Sequence, residues 1–139
     1  MTQAEGKAFY GRIKAIDAVI EAKAMAANAL RLSLLPSGLR YDSDKVQTSP
    51  SDQLLSGYVR ISDKLERLEA EMRQLMIERA DAVAAIDAAL ERLEDKRESL
   101  AIMAYYVKRE KVKDIARRMS YSEDMIYLLI RRGIENTQL

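Results

Sequence analysis

The chain has 139 residues, 23 Lys plus Arg against 22 Asp plus Glu, 48% hydrophobic positions, five Gly, two Pro, and no Cys, His or Trp. Apolar content at this level with balanced charge excludes wholesale disorder, and the abundance of Ala, Leu, Met, Glu, Lys and Arg favours an all-α chain. Without Cys or His there is no disulfide framework and no ordinary ligand set for zinc or a transition metal, so neither a metal site nor a cofactor is expected. Glu21 and Lys23 interrupt the Ala-rich region, and the N-terminus carries no signal-peptide pattern. The expected location is therefore cytoplasmic, with no membrane partner.

Phe9, Ile13, Ile16, Ile20, Ala24, Ala27, Leu30 and Leu34 recur at steps of three and four, which predicts one helix from Gln3 to Leu35. Pro36 and Gly38 end it. Residues 36–53 hold both prolines and many Ser, Asp and Thr, and read as a long connector whose last part, Ser49-Pro50-Ser51-Asp52, has the composition of a helix start.

The strongest periodicity follows. Leu54, Ile61, Leu68, Leu75, Ala82 and Ala89 alternate with Tyr58, Leu65, Met72, Arg79, Ile86 and Leu93, an a/d heptad seam interrupted only by Arg79. Arg79 either snorkels out of the seam or pairs with an acid. A helix of that length spans about 60 Å and cannot bury its stripe alone, so the economical arrangement for 1–95 is a long antiparallel helical hairpin, coiled-coil-like. Spare apolar edge on such a hairpin predicts a homo-oligomer, most simply a dimer, with Tyr58, Leu65, Met72 and Ile86 as candidate contributors.

From Lys96 onward the pattern shortens and the charge changes. Residues 58–95 are acidic and 96–139 basic, an asymmetry that places polyanion binding in the last third. Leu100, Met103, Ala104 and Val107 suggest one helix, Val112, Ile115, Ala116 and Met119 a second, and Ile126, Leu129, Ile130 and Gly133 a third. Ser122 is placed as an N-cap, with Glu123 and Asp124 in the following turn. A three-helix domain over 96–139 with helix-turn-helix grammar is the expectation, the alternative being a small helical cap on the hairpin.

In that geometry Glu123, Asp124, Tyr127, Leu128 and Arg131 face outward on the reading helix, with Met125 at its edge. Lys108, Arg109, Lys111, Lys113, Arg117 and Arg118 lie on or before the second helix, and Arg132 near the end of the third, where phosphate contact is the functional reading and a solvated basic face the bland one. Asp124 can accept from a cytosine amino group and Leu128 can touch a thymine methyl, but a face shaped for protein explains the same residues. No residue is a candidate for catalysis: nucleophilic or acid-base chemistry would need His or Cys equivalents that the sequence does not gather, and no phosphate-cradling Gly loop is present.

The segment Val112 to Ile134 resembles the final helix-turn-helix of sigma factors, region four, and its relatives in phages and prophages of Gram-positive bacteria. Ile115-Ala116, Met119, Tyr121-Ser122 and Arg132 carry that likeness. Tyr41 to Asp52 resembles the connector of a phage-associated family with a long helical hairpin ahead of such a domain, similar to ArpU- and RinA-type regulators of late transcription. The resemblance implies a regulator that binds double-stranded DNA and touches RNA polymerase. Ser120 stands where that family often has Gly, which marks a position needing an αL-tolerant residue. The other class left open is a non-catalytic module that binds RNA polymerase or another protein without reading DNA.

Overall fold

The structure is a computed structural model, and it describes residues 1–35 and 51–139. Every regular element among them is helical: α1 (Gln3–Tyr10), α2 (Arg12–Ser33), α3 (Ser51–Glu91), α4 (Lys96–Ile102), a π-helical turn (Met103–Val107), α5 (Val112–Met119) and α6 (Glu123–Asn136). The all-α expectation is met at that level. No helix among them is long and apolar enough to cross a membrane. The connector at 36–50, including the Tyr41-to-Pro50 part of the family likeness, lies outside the described residues; Ser51 already belongs to α3.

The single helix expected over Gln3–Leu35 is two helices. Thr2 caps α1 by accepting from the Glu5 amide at 3.1 Å, and the helix stops at Gly11, whose own amide donates to the Lys7 carbonyl at 2.9 Å. A Cβ on Gly11 would lie 2.5 Å from that same carbonyl oxygen, so the close turn is open to glycine alone. Periodicity continues across the break, which is why the spacing of apolar residues did not reveal it.

The chain divides into two compact units, Met1–Ala18 with Ile77–Leu139, and Val19–Met76. The first contains the main core. Tyr10 and Ile13 come from its N-terminal piece, Ala82, Ile86 and Leu90 from the end of α3, and Ile102, Ile115, Ile126, Leu129 and Ile134 from the later helices. One apolar cluster thus runs across the expected boundary at Asp95–Lys96. Ile86 is fully buried in this cluster and so is not an oligomer contact. Glycine sets two close approaches here: a Cβ on Gly6 would collide with the Ile134 side chain, and one on Gly133 would lie 2.5 Å from Ile102 Cδ1.

Polar groups fix the joints of this unit. Asp95 caps α4 through the Arg97 amide and also accepts from the Arg97 guanidinium, contacts that hold its carboxyl below the usual carboxylate range. Ser99 donates to the Leu90 carbonyl at 2.9 Å, and Lys96 to the Glu91 carbonyl at 3.1 Å, which satisfies orphan acceptors at the end of α3. Asp17 accepts from Arg79 at 2.6 Å, so the charged seam position is paired.

The register of α4 differs from the sequence expectation. Leu100 is 59% exposed, while Ala101 and Ile102 face the core. The π turn explains the change: the Lys108 amide reaches the Met103 carbonyl five residues back, at 3.0 Å. That wider step moves the inward face from Ala101 and Ile102 to Tyr106 and Val107, five residues on in each case, a spacing that a three- or four-residue template does not contain.

Among the described residues, the second unit holds the remaining parts of α2 and α3. Its seam side chains Ile61, Leu65, Leu68, Met72 and Leu75 are half-buried, and Lys23–Glu71 at 2.7 Å and Arg31–Glu69 at 3.0 Å bridge the two helices. Tyr58, at the start of the expected seam, is 54% exposed.

Candidate nucleic-acid interface

The two helices α5 and α6 are joined by a three-residue turn, and their inner faces meet through Ile115, Ala116, Ile126 and Leu129, all buried. Ser120 closes α5 in the left-handed region, at φ 61° and ψ 40°. Its amide donates to the Arg117 carbonyl at 3.4 Å and the Tyr121 amide to the Ala116 carbonyl at 3.0 Å, the paired bonds of a Schellman ending. Ser122 then starts α6 by accepting from the Met125 amide at 3.1 Å. A left-handed residue and an N-cap two positions later turn the chain sharply without leaving either helix end unsatisfied.

On α6, Glu123, Asp124, Tyr127, Arg131 and Arg132 are exposed, whereas Met125 and Leu128 are half-buried, Met125 against the core. On α5 and the residue before it, Lys111, Lys113, Arg117 and Arg118 are exposed. Their electrostatic states differ. Arg118 is engaged by the Glu110 carboxylate, while Lys111, Lys113, Arg117, Arg131 and Arg132 have no ion pair among the described residues. The uncommitted cations are the ones free to meet an external anion, and Arg118 must first give up Glu110.

The N-terminal helix bears on the same region, which sequence reasoning missed. Gln3 Nε2 donates to the Arg131 carbonyl at 2.9 Å, and Gly6 packs on Ile134, so α1 covers the C-terminal half of α6 and leaves the half carrying Glu123, Asp124 and Tyr127 uncovered. The only advance sign was Gly6 on an otherwise good helix, and it does not name its partner. Among the described residues no three acidic side chains gather as cation ligands would.

Comparisons with family models, curated proteins and solved structures find no match.

Proposed function

We propose that this chain is a DNA-binding transcription regulator of the phage or prophage kind its residues resemble. In this reading α5, the turn and α6 are a helix-turn-helix, with α5 across the phosphate backbone and α6 in the major groove. The observation that carries it is the Schellman-to-N-cap turn between two helices packed at their inner faces, with Lys113 and Arg117 exposed on the outer side of α5 and without an ion pair among the described residues. The antiparallel hairpin is supported by ion pairs that run in descending order, Lys23 with Glu71 and Arg31 with Glu69. Its seam, half-buried at Leu65 and Met72 and exposed at Tyr58, supports assembly into a dimer with these three residues at the contact.

A second reading rests on the uncovered half of α6. Glu123, Asp124 and a Tyr127 that is 54% exposed make an acidic and aromatic face suited to a protein, RNA polymerase included, without sequence-specific readout. Duplex binding across a salt series separates the two. A regulator weakens steeply as salt rises, and Lys113→Ala with Arg117→Ala flattens the log–log slope by about two. Asp124→Arg then raises duplex affinity, because it removes repulsion and adds a guanine-reading donor. Duplex affinity that is negligible in wild type and unmoved by Asp124→Arg sinks the DNA reading in favour of the protein-binding one.

A further inference from the structure

Another basic surface lies in the first unit, where Lys7, Tyr105 and Tyr106 adjoin Tyr127 and Arg131 of α6 on one side and open into a separate groove on the other. A groove of about 640 Å³ is lined by Lys7 and Lys14, by Tyr105 and Tyr106 of the π turn, and by Arg109 and Lys111 of the link to α5. Gly11, between the two N-terminal lysines, also lines it. Lys7 belongs to α1 and Lys14 to α2, on either side of the helix break at Gly11, and all three positions line the groove.

Charge accounting gives the groove its character. Its one acid, Glu110, is engaged by Arg118, and Arg109 reaches Asp17 at 3.5 Å. Lys7, Lys14 and Lys111 have no carboxylate partner among the described residues. Three exposed ammonium groups lining one groove attract a ligand that brings negative charge. The two tyrosines are held in place, Tyr105 edge-on to Tyr106 at 4.8 Å and Tyr106 against Tyr10 at 5.7 Å. Fixed rings bearing hydroxyl donors, beside several ammonium groups, suit phosphate oxygens.

We infer that this groove binds phosphate esters, and that the esters are the backbone of the same duplex that crosses α5. The choice of a duplex rests on the DNA reading above; the groove's affinity for phosphate does not. Lys111 lines the groove and immediately precedes α5, so a backbone lying on Lys113 and Arg117 continues towards Lys7 and Lys14 along one run of cations. The N-terminal helix then supplies phosphate contacts to a domain from which it is remote in sequence.

The test uses the full chain with Lys7→Ala plus Lys14→Ala, both exposed side chains on helix surfaces, and a matched control, Lys64→Ala plus Arg73→Ala, which removes equal charge from α3. Circular dichroism establishes that each variant is folded. Two probes are titrated: tripolyphosphate and a duplex DNA. The expected result is that wild type binds both, and that the groove variant binds each roughly tenfold more weakly and flattens the duplex salt slope by about two, while the control stays near wild type. Tripolyphosphate binding that is lost in the groove variant, with no duplex binding by wild type, upholds the phosphate site, assigns it to a small phosphorylated ligand and sinks the DNA reading. Duplex binding unchanged in the groove variant, with no binding of tripolyphosphate, overturns this inference and leaves the DNA reading standing. An equal loss in the control also overturns it, because the effect would then be one of net charge.

Discussion

Tyr10 donates its hydroxyl proton to Thr137 Oγ1 at 2.7 Å across 127 positions of sequence. The direction follows from proton count: the Thr137 hydroxyl spends its only proton on the Gly133 carbonyl, also at 2.7 Å. Burial pushes the Tyr10 hydroxyl above its ordinary pKa, against a smaller opposing effect of the hydrogen bond to Thr137.

Tyr10→Phe removes that donor and leaves the Thr137 bond to Gly133 in place. The expected cost is about 1 kcal/mol in chemical denaturation at neutral pH. The pH dependence has a definite sign. The folded state holds the proton more tightly than the unfolded one, so this stabilisation is complete below pH 10 and is lost as pH rises through the raised folded value. The variant's stability should fall less steeply above pH 10, with Tyr106, also raised chiefly by burial, accounting for part of what remains.

Ser120 adopts a left-handed conformation that costs an L-residue about 1–2 kcal/mol, of which glycine's greater freedom in the unfolded chain cancels part. Ser120→Gly is therefore expected to stabilise by about 0.5–1 kcal/mol and Ser120→Val to destabilise by more than about 1 kcal/mol. Thermal melts of the two variants against wild type give both signs. A Ser120→Gly melt below wild type would contradict the left-handed ending of α5.

Gly6→Ala puts a methyl group into the space held by the Ile134 side chain. Overpacking at such a contact costs about 1–3 kcal/mol. Combining it with Ile134→Ala makes room, so the double variant should lose less than the sum of the single losses, with a favourable coupling of about 1 kcal/mol. A strictly additive cycle would mean that α1 does not sit on α6 at this point.

Arg79 and Asp17 are both partly exposed, and Asp17 retains Arg109 at 3.5 Å when Arg79 is removed. A cycle of Arg79→Met and Asp17→Asn is expected to give a coupling below about 1 kcal/mol that shrinks as salt rises. The guanidinium is held more firmly protonated by its hydrogen bond to Asp17, but solvent access limits what the pair contributes to folding.

Heptad spacing made α3 legible from the amino-acid sequence, as did the Ser122 cap and the inward faces of α5 and α6, because each rests on contacts within one helix or across one turn. The position of Ser120 was legible as well, through the glycine that the resembled pattern carries there. Gly11 escaped notice because a helix break that preserves the apolar period leaves no mark in that period. The spacing of Leu100 to Met103 and Val107 fits an α-helix and predicts an inward Leu100, whereas the chain takes a π turn over Met103–Val107. The basic groove was not legible at all: Lys7 and Lys14 are ordinary surface cations until α1 is brought beside the Arg109–Lys111 link, and no local pattern encodes that meeting.

A core assembled from Met1–Ala18 and Ile77–Leu139 has a consequence for the order of folding. The contacts among α4, α5 and α6 are local and close quickly, but Ile134 and Thr137 stay unsheltered until α1 arrives from the far side of the intervening segment. Loop closure grows only slowly with length, about 0.6 kcal/mol for each doubling, so the delay is kinetic more than energetic. Docking of α1 is then the slow event, and the half of α6 beneath it is the last part of the region to gain protection from hydrogen exchange.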